Sequence, residues 1–169
     1  MSQAIRGFFM VLVFAMVMII QWNLDADKTG TRQLKNSLEL AVHDASLALD
    51  EAQLGQGFIV FDQAQAEINF EESLQYHLKL NETLTPTTDS FYQSQVEVKL
   101  LKYFDDKTED PNNPGTTITF PYTYTNAEYD IVDVLHGPSI VAVIETKSPR
   151  YFVGPDTVLR QAAVYEYFQ

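Results

Sequence analysis

The sequence predicts an α+β protein with a long N-terminal helix, a second helix and an antiparallel β-sheet head. The long helix is transmembrane in its first part and amphipathic in its second. Three observations carry this reading. Residues 8–20 are apolar without interruption (FFMVLVFAMVMII). Beyond residue 30 apolar residues recur at steps of three and four. From residue 94 onward, β-branched and aromatic residues gather in short runs separated by Pro, Gly, Asn and Asp.

In the first element, residues 5–24 contain only Arg6, Gln21 and Asn23 as strongly polar side chains. About 20 helical residues cross a hydrocarbon core, so this stretch is long enough to span, with Trp22 suited to the interface. Arg6 precedes the run, while Asp25 and Asp27 follow it. The positive-inside bias then puts the N-terminus in the cytoplasm and the rest of the chain outside. A cleaved secretory signal peptide is the competing reading, although no small-x-small cleavage site follows: the residues there are Gln21, Trp22, Asn23 and Leu24.

The second part of the helix carries Leu34, Leu38, Ala41, Ala45, Ala48 and Ala52 on one stripe, with Arg32, Lys35, Glu39, Asp44 and Asp50 elsewhere around it. An alanine-rich seam lets a neighbouring backbone come close, either the chain's own head or another helix. No proline occurs in residues 2–56, so anchor and stalk read as nearly one rod, about 80 Å long at the helical rise. Residues 25–31, with Gly30, read as the weak place where it could bend or break. Gly55 and Gly57 read as its end.

A short β-like stretch at 58–61 leads to Asp62, the expected N-cap of a second helix with Ala66, Phe70, Leu74 and Leu78 on one face. Leu84-Thr85-Pro86 is expected to close it. Strands are expected at 94–104, 116–124, 129–135, 139–146 and 158–168, with His136-Gly137-Pro138 as a hairpin turn between two of them. In the fourth, Val141 and Val143 alternate with Ala142 and Ile144, the pattern of a strand buried on both faces. Residues 105–115 (DDKTEDPNNPG) read as a loop. The domain organisation is then 1–24 as membrane anchor or assembly helix, 25–57 as amphipathic stalk helix and 58–169 as an α+β extracytoplasmic head.

With 169 residues the chain can bury one core of ordinary size. Acidic residues outnumber basic ones 23 to 11, for a formal charge of -12. Such a surface repels phosphate backbones, so no nucleic-acid partner is expected. The absence of cysteine removes disulfides, thiolate catalysis and zinc ribbons together, and suits a prokaryotic surface protein. His43, His77 and His136 stand at no metal-ligand spacing, and the nucleophile-elbow, zincin, phosphate-loop and dinucleotide motifs are missing. Lys147 and Ser148 are adjacent in a strand and point to opposite faces. Asp105, Asp106, Glu109 and Asp110 are the kind of carboxylates that calcium takes, at a spacing other than that of the helix–loop–helix motif, and read as a solvated acidic turn. Asn81-Glu82-Thr83 matches the N-glycosylation sequon. No catalytic residue, cofactor or metal is expected.

The basic leader ending in glycine (MSQAIRG), followed by Phe8 and an apolar run, then an amphipathic helix and a β-rich head, resembles the layout of type IV pilin-like proteins, including tight-adherence (Tad-type) pseudopilins. The resemblance implies leader cleavage between Gly7 and Phe8 and assembly of the helices in a filament core, with the heads outside. Phe9, Leu12, Val13, Met16, Ile20, Leu34, Leu38, Ala41, Ala45 and Ala48 would form the assembly helix. The main class of that family has a glutamate at the fifth mature position, where this chain has Leu12. The implied partners are copies of the chain or related pilin-like subunits, together with a membrane crossed once. The competing function is a monomeric membrane-anchored extracytoplasmic domain that binds or senses.

Overall fold

The structure, a computed structural model, describes residues 2–111, 113–150 and 155–167. Helix α1 (Ser2–Ser46) has 45 residues, about 68 Å at 1.5 Å per residue. It runs through Gly30 as one unbroken helix. Its end comes earlier than Gly55, because the backbone of residues 48–50 pairs with that of 60–62: Asp50 N donates to Val60 O at 2.9 Å, and Asp62 N to Ala48 O at 3.0 Å. A helix cannot keep these groups for its own ladder as well. Ala48 therefore lies beyond α1, and Ala52 falls in a separate single turn, α2 (Glu51–Leu54), capped by the Asp50 carboxylate. The stretch 58–61 forms no strand, only a single bridge between Leu49 and Phe61.

Helix α3 (Gln63–Leu78) begins as expected, with Asp62 Oδ1 accepting from Gln65 N, and buries Ala66, Phe70, Leu74 and Leu78. It stops at Lys79, which takes a left-handed conformation (φ 55°), six residues before Thr85. Five strands follow: β1 (Glu97–Phe104), β2 (Tyr122–Asn126), β3 (Ile131–Leu135), β4 (Ser139–Lys147) and β5 (Val158–Glu166). The second is shorter than expected, since residues 116–121 stay outside the ladder and contribute one bridge, Glu109 to Thr117. Position 168, the expected end of the fifth strand, lies outside the described residues.

All pairings are antiparallel, in two sheets ordered β1-β4-β5 and β2-β3. A bulge at Lys99 shifts the β1–β4 register between Val98 and Leu100. His136-Gly137-Pro138 is not a hairpin turn, because β3 pairs with β2 while β4 belongs to the other sheet. The connection passes the chain between layers and is tied to β5: Tyr167 N donates to Pro138 O at 2.8 Å, and His136 N to Glu166 Oε1 at 3.0 Å.

The expected two-sided strand is β4. Ile140, Ala142 and Ile144 face the helices, in one cluster with Leu34, Leu38, Ala41 and Ala45 of α1 and Phe70 and Leu74 of α3. Val141 and Val143 face the other way, against Phe104, Ile118, Tyr124, Ile131 and Leu135. Helices, three-stranded sheet and two-stranded sheet thus form three layers with β4 central. The alanine seam is the helix's inner face: Ala41 and Ala45 are 0% exposed. Ala45→Leu adds three carbons there and is expected to destabilise the chain by about 1–3 kcal/mol through overpacking. The measurement is the melting temperature of the detergent-solubilised protein as dilute monomer; an unchanged value would contradict burial of the seam within one chain.

Candidate anchoring and assembly surface

Residues of the same helix meet opposite surroundings on either side of Trp22. Before it, Phe9 is 61% exposed, Leu12 44%, Val13 58%, Met16 64% and Ile20 58%, and nothing in the head covers them. The apolar segment is exposed all round as far as Val17, and a helix apolar on every side belongs in lipid or among other helices. Its length and composition suffice to cross a membrane. A Cβ at Gly7 would meet nothing within 4 Å, so Gly7 stands in open surroundings beside exposed Phe8.

Cover begins at Met18 and Ile19, which are half-buried, and strengthens at Asn23, Ala26 and Gly30 on one side of the helix. At Gly30 the head touches the helix backbone. A Cβ there would stand 2.8 Å from Leu159 Cδ1 and 3.2 Å from Phe91 Cε1, closer than side chains settle. The Tyr92 hydroxyl donates to Gly30 O at 2.6 Å, and burial pushes this phenol well above its ordinary pKa. A residue that sequence reasoning would place at a bend is thus a point of close approach.

One turn earlier Asp27 takes both arms of a guanidinium. Arg150, from the segment after β4, donates Nη1 to Asp27 Oδ1 at 2.5 Å and Nη2 to Oδ2 at 3.3 Å. Its Nε donates to Pro155 O at 2.9 Å, Nη1 also reaches Ser148 Oγ at 3.2 Å, and Nη2 donates to Thr157 Oγ1. The pair is largely shielded, with side chains 13% and 25% exposed, so this forked contact counts for more than a surface ion pair. Neither Arg150 nor its pairing with Asp27 was visible in the sequence: the two stand 123 positions apart, and no motif links them.

Of the expected assembly residues, Phe9, Leu12, Val13, Met16 and Ile20 are open to a neighbour. Leu34, Leu38, Ala41 and Ala45 are fully covered by the chain's own α3 and sheet, and Ala48 is 7% exposed. Along the stalk, accessible apolar surface remains in a groove of about 570 Å³ between α1 and β5, bordered by Leu40, Val42, His43, Ala163 and Tyr165.

The groups that suggest chemistry have structural occupations. Asp105 Oδ2 accepts from Phe61 N at 3.3 Å, its Oδ1 accepts from Lys107 N at 3.0 Å, and Asp106 Oδ2 accepts from Ile59 N at 2.7 Å. Glu109 accepts from Gly115 N at 2.9 Å and Asp110 from Asn113 Nδ2 at 2.9 Å. Among the described residues no group of three or more His, Asp or Glu side chains is placed to hold a metal ion. The acidic loop thus spends its oxygens on backbone and side-chain donors. Asp44 lies between His43 Nδ1 at 3.2 Å and Ser73 Oγ at 2.7 Å. Ser73 donates to the carboxylate rather than to the imidazole, so the three do not form an activated nucleophile. His77 stacks edge-on against Tyr76, and the Tyr103 hydroxyl, its pKa pushed up by burial to about 12, is buried without a partner among the described residues.

The Asp27–Arg150 pair predicts a pH dependence. Burial alone would raise the Asp27 pKa; the Arg150 hydrogen bonds, a contact with Ser148 and the guanidinium charge outweigh it and hold the value below the ordinary one. The folded chain then binds this proton less readily than the unfolded chain. The pair's stabilisation is complete above the ordinary value of about 3.9 and is lost as pH falls through the lowered value. Asp27→Asn is expected to cost about 1.5–3 kcal/mol at pH 7 and to flatten the stability profile below pH 4, as read by thermal unfolding across pH. An Asp27→Asn profile parallel to that of the unaltered chain would show that the pair contributes nothing.

In comparisons with known proteins, no family model matches the chain, and neither a curated protein nor a solved structure matches it. Its own architecture, a long apolar N-terminal helix continuous with a stalk and followed by an antiparallel β head, is compatible with a pilin-like fold.

Proposed function

We propose that the protein is a pilin-like structural subunit of a cell-surface filament or secretion-type pseudopilus, assembling through its N-terminal hydrophobic helix. The observation that supports it most is the contrast within α1: residues 8–17 are open on every side, while the stalk is fixed to the head through Gly30 and Asp27. A subunit whose apolar helix projects rigidly from a folded head can exchange lipid for the helices of other subunits without refolding. In this reading the partners are copies of the chain or related subunits, the chain catalyses no reaction, and the head faces outward across a single span. Processing between Gly7 and Phe8 would make Phe8 the first residue of the mature helix.

One observation favours a second reading, a monomeric anchored binding or sensing domain. The stalk seam is consumed inside the chain and is not free for another subunit, while an apolar groove stays open between α1 and β5. Electron microscopy of the cell surface separates the two: filaments containing this chain are expected from a subunit, and a membrane-retained protein without filaments from an anchored domain.

Two further outcomes test the anchor. Val13→Asp puts a carboxylate near mid-bilayer, at a cost of roughly 2.5–3.5 kcal/mol on insertion scales, so the variant is expected to lose membrane retention and assembly; normal yield and localisation would sink the spanning assignment. Protease added to intact cells is expected to digest the head while a tag ahead of Gly7, read on the unprocessed chain, survives. The reverse pattern would invert the orientation.

A further inference from the structure

The turn that follows α3 is organised around one amide side chain. Asn81 Oδ1 accepts three hydrogen bonds: from Thr83 N at 3.0 Å, Thr83 Oγ1 at 2.8 Å and Thr85 N at 2.9 Å. Two of these donors are backbone N–H groups, so the atom they meet must be the oxygen rather than the nitrogen of the amide. Asn81 Nδ2 donates to no described residue. Leu80 and Leu84, on either side, are buried at 6% and 9% exposure and hold the turn to the core, while Asn81, Glu82 and Thr83 are exposed. The backbone is closed by Asn81 N to Thr85 O and Leu84 N to Asn81 O, both at 2.9 Å. Gln95 Nε2 fixes the turn further through Thr83 O at 2.9 Å.

Asn81-Glu82-Thr83 is the single Asn-x-Ser/Thr triplet in the 169 residues, and its x is not proline. We infer that Asn81 is an N-glycan acceptor, modified on Nδ2 by a membrane oligosaccharyltransferase that draws on a lipid-phosphate-linked oligosaccharide. In the transfer, Nδ2 forms a bond to the anomeric carbon of the first sugar. The bond from that carbon to the lipid phosphate oxygen breaks, and the lipid phosphate leaves with the bonding pair. Nδ2 gives up one proton to a base of the transferase. The division of labour in the side chain makes the modification compatible with the fold. Oδ1 remains an amide oxygen afterwards and keeps its three bonds, while the consumed N–H is one the fold does not use. The hydroxyl of Thr83 already touches the Asn81 amide, so the two side chains a transferase must read are presented together on the surface.

The inference rests on the outward-facing head of the proposed function, and the test keeps the two apart. The full chain is purified from the membranes of cells that make it, and the peptide containing Asn81 is weighed by mass spectrometry before and after enzymatic removal of N-glycans. In parallel, intact cells are treated with external protease. A glycan mass on Asn81, absent from Thr83→Ala and from Asn81→Asp, is the expected result. Asn81→Asp retains an Oδ acceptor for the turn and is expected to melt like the unaltered, deglycosylated chain, so loss of the glycan in it reports the missing Nδ2 and not misfolding. An externally digested head whose Asn81 peptide occurs only unmodified overturns the inference and leaves the orientation standing. A glycan persisting in Asn81→Asp places the modification elsewhere and overturns it too. A head protected from external protease, with Asn81 unmodified, overturns both.

Discussion

The structure depends on one constraint: a single uninterrupted helix must be apolar on all sides at one end and tightly bound to a folded head at the other. The change takes place over little more than two turns, from Met18 to Ala26, and the grip is completed at Asp27 and Gly30. Glycine lowers helix propensity, yet α1 continues unbroken through Gly30, where the missing side chain admits Leu159 and Phe91 to its backbone. Packing replaces what propensity lacks. The Asp27 carboxylate, one turn before, supplies direction as well as attachment, since a forked guanidinium holds a carboxylate in one plane.

Beyond that grip, the head is built outward from β4. The strand has no polar face to offer solvent along most of its length, so each side demands a layer of its own. The alanine stripe of α1 meets one side, and its small side chains let helix and sheet approach closely. The small β2–β3 sheet meets the other, supplying Tyr124, Ile131 and Leu135. This explains why the chain leaves β3 for a different sheet at residues 136–138: a hairpin partner in the same sheet would have left Val141 and Val143 uncovered, at a cost of about 1.5–3 kcal/mol for each exposed side chain.

Much of this was legible in the sequence because it follows from local patterns. The uniform apolarity of residues 8–20, the Asp62 cap, the face of α3 and the two-sided alternation of β4 depend only on neighbours a few positions away. What escaped depends on distant partners. The end of α1 at Ser46 is set by pairing of residues 48–50 with 60–62, which no helix propensity reports. Gly30 carried the usual mark of a bend, and only the approach of Leu159, 129 positions later, reverses that meaning. The turn at 136–138 has the composition of a hairpin, but composition does not say which sheet the next strand joins. The candidate surface divides in the same way: the open residues Phe9, Leu12, Val13, Met16 and Ile20 are recognisable from their own run, whereas the covering of Leu34, Leu38, Ala41 and Ala45 by the head depends on which partner an apolar stripe finds.

The continuity of α1 has a mechanical consequence. With the helix unbroken between the apolar segment and the grip at Asp27 and Gly30, the head has no azimuth of its own: the direction in which any one side of the apolar segment faces also fixes the compass bearing of every surface beyond it. Each residue of an α-helix turns about 100°. Adding or removing one residue between Leu24 and Asp27 would therefore swing the whole head by roughly that angle about the helix axis, while leaving its internal structure and the apolar length unchanged. Length and phase between apolar segment and head are in this sense a single quantity, written in the number of residues that separate them.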